Sequence, residues 1–152
     1  MRLYPVGRKR VEKIAMYALP LDGGRDTLER KRTLPERARI LVVEDEALLA
    51  ETLVGLLEDG GFTAAGPAGT VAGAMGIVET QPVNGALLDI RLFQEPCYPV
   101  AYALRDRDIP FIFVTACQPP ELPPDLRSRP FIEKPFQPSG LLQTLRWVLR
   151  PG

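Results

Sequence analysis

Histidine is absent from all 152 residues. Without an imidazole, Ser-His and Cys-His nucleophilic sites are excluded, and a zinc site loses its commonest nitrogen ligand. Any chemistry that passes through a phosphohistidine must take its histidine from another chain. Cysteine is almost as scarce. Cys97 and Cys117 lie in separate segments with neither a redox nor a metal-ligand spacing, so both are expected as reduced thiols. No apolar run approaches the ~20 residues of a membrane helix. The basic cluster Arg8-Lys9-Arg10 is not followed by a long apolar segment, so no signal peptide is expected and a cytoplasmic location is the default.

What is present is an ordinary globular composition, 45% hydrophobic, over a length that suits one domain with an appendage. Lysine plus arginine balance aspartate plus glutamate at 19 each, but the balance conceals a division. Residues 1–39 hold eleven basic and five acidic residues, a charge of +6, which leaves −6 for residues 40–152. The basic segment is broken by Pro5, Pro20, Gly23-Gly24 and Pro35, and has no sustained period. Two short helices, Val11 to Leu19 and Asp26 to Thr33, are its only prospects, and neither offers enough apolar surface to fold alone. Residues 1–38 are therefore expected to be a flexible basic extension, and residues 39–152 the folded domain. A basic arm for an acidic partner or nucleic acid is the competing reading of the extension, although no aromatic interleaving or binding motif supports it.

From residue 40 strand and helix patterns alternate. Ile40-Leu41-Val42-Val43 is an apolar strand that ends in Glu44-Asp45-Glu46. Ala47 to Glu58 is amphipathic through Leu49, Leu53, Leu56 and Leu57, and Gly60-Gly61 closes it. Phe62 to Ala65 reads as a second strand, and Thr70 caps a helix running to Glu79. Gly85 to Leu88, four buried-type residues in a row, is a third strand that stops on Asp89. A helix from about Val100 to Arg107 follows. Phe111 to Val114 is a fourth strand ending at Thr115, and Phe131 to Glu133 a fifth followed by Lys134-Pro135. Between these last two strands lie Pro119, Pro120, Pro123, Pro124 and Pro130, so a helix there must be short or absent, with Asp125 to Arg129 its only prospect. Ser139 to Arg150 forms the final amphipathic helix. This alternation implies an α/β fold with a parallel sheet, helices on both faces and the carboxyl ends of the strands on one rim.

That rim gathers Glu44 and Asp45, Asp89, Thr115 and Lys134. Each has a plain explanation alone: an acidic first helical turn, a turn-forming aspartate, a cap, a solvated lysine. Together they describe a site. Three converging carboxylates repel one another and raise one another's pKa values unless a cation lies among them. A hard cation such as Mg²⁺ takes one or two carboxylates together with water and phosphate oxygens. A hydroxyl and an ammonium are the donors that phosphoryl oxygens need. A carboxylate among these groups can accept a phosphoryl group.

These pieces, Leu41-Val42-Val43-Glu44-Asp45-Glu46, Leu87-Leu88-Asp89, Val114-Thr115-Ala116 and Lys134-Pro135-Phe136, closely resemble the receiver domain of bacterial two-component response regulators. They occur in order over residues 40 to about 150. The resemblance implies a flavodoxin-like fold with a five-stranded parallel sheet of order 2-1-3-4-5. It implies that Asp89 is the phosphoacceptor and that Glu44, Asp45, Asp89 and the Arg91 carbonyl form the Mg²⁺ site, Glu44 acting through water. Thr115 and Lys134 would bind the phosphoryl group, with a cis Lys134-Pro135 bond aiming the lysine. Thr115 and Phe131 would form the switch; for Phe131 an ordinary half-buried strand position is an equal alternative. Two departures stand out. Leu92-Phe93 replaces the usual Met-Pro after the acceptor, and the stretch from Thr115 to Lys134 is short and proline-rich. Phe113-Val114-Thr115-Ala116 and the weak fourth helix resemble those of a group of single-domain receivers from alphaproteobacteria.

The expected function is a single-domain response regulator. It takes a phosphoryl group from a sensor histidine kinase or a histidine phosphotransfer protein, then signals by protein contact or acts as a phosphate sink. Because no further domain follows Arg150, a downstream protein target is expected, with no direct DNA binding and no membrane; a homodimer is compatible with this. The competing class is a receiver-like binding module that works without phosphorylation. A haloacid-dehalogenase-type phosphatase needs Asp-x-Asp at the nucleophile, and Asp89-Ile90-Arg91 lacks the second acid. The chain is accordingly not expected to be an enzyme.

Overall fold

A computed structural model describes residues 37–93, 95–116 and 122–151. The expected extension lies outside these residues apart from Arg37 and Ala38, as does Cys117. The order of elements is β1 (Arg39–Val43), α1 (Ala47–Asp59), β2 (Thr63–Ala68), α2 (Val71–Thr80), β3 (Gly85–Leu88), α3 (Tyr98–Asp106), β4 (Phe111–Thr115), β5 (Phe131–Glu133) and α4 (Pro138–Leu149). All strand pairs are parallel, and the sheet order is β2-β1-β3-β4-β5, as expected.

The strands are apolar on both faces because both faces are covered. In β1, Ile40 and Val42 join a core with Leu53, Leu57, Leu141 and Leu145 of α1 and α4. Leu41 and Val43 point the other way, into a core with Ala74, Val78, Val100 and Leu104 of α2 and α3. The same alternation sorts Leu87 from Leu88 and Ile112 from Phe113. Hydrophobic burial thus sets the register of β1, β3 and β4, since a slip by one residue would exchange the two sets.

The punctuation also follows the residues. The Thr70 side chain accepts a hydrogen bond from the Gly73 N–H at 3.0 Å and starts α2. α1 ends in a paired turn: the Phe62 N–H donates to Leu57 O at 2.9 Å and the Gly61 N–H to Glu58 O at 3.1 Å. Gly61 sits at φ 88°, where a side chain is strained, so glycine is required at that point.

Two boundaries differ from the sequence expectation by more than one residue. β2 runs past Ala65 to Ala68, through a cis Gly66-Pro67 bond and a shift in register against β1. A proline that cannot donate is tolerated because β2 is an edge strand and the extra residue forms a bulge. α3 begins at Tyr98 with Pro99 in its first turn, where the missing N–H costs nothing. Among the described residues between β4 and β5 there is no helix. Residues 122–130 form turns, held by Leu122 and Leu126 buried in the α2–α3 core and by the Arg127 Nε donating to Leu122 O at 2.9 Å.

Candidate functional site

The carboxyl ends of β1, β3, β4 and β5 meet on one rim, because parallel pairing places them there. Val43 pairs with Leu88, and the Asp89 N–H donates to Val43 O at 2.9 Å, so β1 and β3 stop side by side. Thr115 pairs with Glu133, and the Lys134 N–H donates to Thr115 O at 2.9 Å, which joins the ends of β4 and β5. Glu44, Asp89 and Thr115 are buried, while Asp45 is exposed.

Lys134 unites these ends. Its Nζ donates to Glu44 Oε2 at 2.8 Å and to Asp89 Oδ2 at 3.0 Å. The other oxygen of each carboxylate is held by the main chain. The Glu46 N–H donates to Glu44 Oε1 at 3.1 Å, and the Arg91 N–H to Asp89 Oδ1 at 3.2 Å. Both acids are thus aimed by loops that turn back over their own strand ends. The Lys134-Pro135 bond is cis.

The electrostatics follow from packing two acids and one ammonium into a poorly hydrated place. Burial pushes the Glu44 carboxyl above the usual glutamate value; the Lys134 and Glu46 hydrogen bonds oppose this, and the Asp89 charge adds to it. For Lys134, burial is the largest single influence and acts downward, but the bonds and charges of Glu44 and Asp89 together hold it above the usual lysine value. Cys97, wholly buried at the start of α3, is pushed up to about 12, first by burial and then by the Asp89 charge.

Glu44, Asp45 and Asp89 each offer one carboxylate oxygen within 4.8 Å of the others. Three carboxylates against a single ammonium leave negative charge uncompensated, and an all-oxygen donor set suits a hard divalent cation. The residues present therefore fit a Mg²⁺ site.

The sequence reading named every member of this rim, and the structure brings Glu44, Asp89 and Lys134 into direct contact, with Asp45 and Thr115 alongside. Arg91 is present through its N–H, which the reading did not anticipate. Phe131 is 7% exposed, in the α2–α3 core beside Phe113, and so is more deeply buried than a half-buried strand position. Cys97, expected from the sequence only as a reduced thiol, is close enough for Asp89 to raise its pKa.

A five-stranded 2-1-3-4-5 parallel sheet with acids and a lysine on its carboxyl rim defines the CheY-like receiver fold. Neither a protein-family model nor a curated protein matches the chain; the similarity is to solved structures. SdrG from Sphingomonas melonis Fr1 is 39% identical, with 76% of this chain and 99% of that one covered and a TM-score of 0.67. The PhyR response regulator REC domain of Erythrobacter litoralis is 31% identical over 74% of this chain and 90% of its own, also at 0.67. The non-phosphorylated HemR receiver domain of Leptospira biflexa is 30% identical over 74% and 94%, at 0.63. The chain belongs to the response-regulator receiver family.

Proposed function

We propose that Asp89 is a phosphoacceptor. One Asp89 oxygen attacks the phosphorus of a phosphohistidine on a sensor histidine kinase or a histidine phosphotransfer protein. The P–N bond breaks as the O–P bond forms, and the donor imidazole leaves with the electron pair. The observation that carries this reading is the bifurcated contact of Lys134 with Asp89 and Glu44. It orients Asp89 and keeps an ammonium in reach of the oxygens an incoming phosphoryl group would bring. Thr115, joined to Lys134 through the main chain, offers its hydroxyl from the next strand.

Glu44, Asp45, Asp89 and the Arg91 carbonyl would hold Mg²⁺, which when bound supplies positive charge to offset the charge on the transferring group. Lys134 exchanges a carboxylate partner for a phosphoryl oxygen, which draws on the main-chain link to Thr115 and so on β4 and β5. Phe131, at the start of β5, would move with Thr115 in the same switch. In this reading the chain is a single-domain, cytoplasmic regulator of the phosphorelay, not an enzyme. It acts on a downstream protein or drains phosphoryl groups from a shared kinase, without direct DNA or membrane binding.

The test is an amide NMR comparison with beryllofluoride, a mimic of the aspartyl phosphate, with and without Mg²⁺. Mg²⁺-dependent shifts at Asp89, Thr115 and Lys134 that vanish in Asp89→Asn are expected. An unresponsive wild type would replace this reading with a receiver-like module that works without phosphorylation.

A further inference from the structure

The opposite rim of the sheet carries a second concave site. A cavity of about 520 Å³ opens where β3 and β4 begin, lined by Asn84 and Pro110 from the strand starts. At ~3.3 Å per residue, the five residues from Asn84 to Asp89 place it about 16 Å from the phosphoacceptor. Four arginines from three parts of the chain reach it: Arg105 and Arg107 at the end of α3, Arg129 before β5 and Arg150 after α4. Asp108 is the one carboxylate in the lining.

The four are not equivalent. Arg105 is already neutralised, by Asp125 at 2.9 Å and Asp106 at 3.2 Å. Arg107 donates to Ala103 O at 3.1 Å, a common way to finish a helix. Arg129 and Arg150 have no such account. Neither makes an ion pair among the described residues. Their recorded contacts are with rings: the Arg129 guanidinium carbon is 4.9 Å from the centre of Phe111, and that of Arg150 is 4.7 Å from Trp147. Arg129 is partly buried, and its pKa is lowered, first by burial and then by the charge of Arg105, with Asp125 only partly offsetting them. The fold thus holds a guanidinium with no ion pair among the described residues in a partly buried place near a like charge, an arrangement that a bound anion would relieve. Asn84 accepts from the Arg39 N–H at 2.7 Å through its Oδ1 and keeps its amide N–H groups to donate. Pro110 and Leu149 supply an apolar floor.

We infer that this pocket binds a phosphate-bearing small molecule, with Arg129 and Arg150 as its principal ligands and Arg107 and Asn84 as supporting donors. Guanidinium forks arriving from different elements match the several-sided oxygens of a phosphate better than the single plane of a carboxylate. The volume is within the range of small-molecule sites. Nothing in the phosphoacceptor reading requires this pocket, and the two stand or fall separately.

The test is a titration of the ¹⁵N-labelled full chain with inorganic pyrophosphate at constant ionic strength, with sodium chloride and malonate as parallel arms. Saturable shifts are expected at Asn84, Asp108, Arg129 and Arg150, with Asp89 and Lys134 unmoved. Affinity should fall about tenfold in Arg150→Gln, an exposed position where folding is not at risk, and similarly in Arg129→Gln. Arg129→Lys keeps the charge and should restore only part of the loss. Shifts reproduced by sodium chloride, malonate binding as tightly as pyrophosphate, shifts confined to the Asp89 rim, or an unchanged affinity in Arg150→Gln would each overturn the assignment.

Discussion

At the scale of single residues, Lys134 matters most, because two buried carboxylates depend on it. Lys134→Met leaves Glu44 and Asp89 facing each other without a counter-charge, and should cost about 3 kcal/mol at pH 7 by urea unfolding. The loss should shrink toward pH 4, where protonation removes the repulsion, and in the double variant with Asp89→Asn. Cys97 gives a second residue-scale test. Its folded pKa is raised from 9.0 to about 12, so the unfolded thiol ionises first as pH rises. Stability is intact below pH 9 and is lost between 9 and about 12. By pH 10.5 the wild type should have lost about 2 kcal/mol more than Cys97→Ala, each measured against its own value at pH 7.5. Lys134 has the same sign, since its contribution persists below the usual lysine value and fades as pH rises through its raised one; it is common to both proteins and cancels. The residue types of this rim were legible from sequence because each strand pattern stops on a polar group. That the Arg91 and Glu46 N–H groups aim the carboxylates was not, because it depends on how the loops turn.

At the scale of elements, helix ends and strands answer to local chemistry. Gly61→Ala should cost about 1 kcal/mol, because alanine must adopt the left-handed conformation at φ 88°, although nothing lies within 4 Å of the added Cβ. Thermal unfolding of Gly61→Ala beside Gly61→Asn checks the cause, since asparagine tolerates that conformation and should recover part of the loss. The helix-free segment 122–130 is a different case. Its proline content correctly argued against a helix, but not for order. Order comes from Leu122 and Leu126 in the core and from Asp125, whose carboxylate accepts from Tyr102 Oη at 3.1 Å and Arg105 Nη1 at 2.9 Å. These last bonds are exposed, so Asp125→Ala should change global stability by less than about 1 kcal/mol. It should nonetheless speed amide hydrogen exchange at Leu126, Arg127 and Arg129, whose N–H groups close the turns. Unchanged exchange at all three would show that the leucines alone hold the segment. The run of β2 beyond Ala65 escaped the sequence reading for a related reason: Gly66-Pro67 is a breaker by composition, and only its place on an edge admits it.

At the scale of the whole molecule, one sheet presents two unlike rims, an acidic one at the strand ends and an arginine-lined one at their starts. A cation that binds only the folded acidic rim must stabilise the entire domain. At ten times its dissociation constant, Mg²⁺ should raise the unfolding free energy by about 1.4 kcal/mol. The gain should disappear in Asp45→Asn, whose exposed side chain is otherwise dispensable for packing. A gain that survives in Asp45→Asn would mean that magnesium binds elsewhere. The sequence by itself determined the alternation of elements, the apolar sets of the strands and the rim residues. These are written in periods of two and near four and in the abrupt switch from apolar to charged at each strand end. The strand order came from family resemblance, and the paired contacts of Lys134, the burial of Phe131 and the meeting of four arginines were decided only by the tertiary structure. Each depends on residues far apart in the chain, 90 positions for Lys134 and Glu44 and 18 for Phe131 and Phe113, and no local pattern encodes a distance across a sheet; the packing of its two faces does.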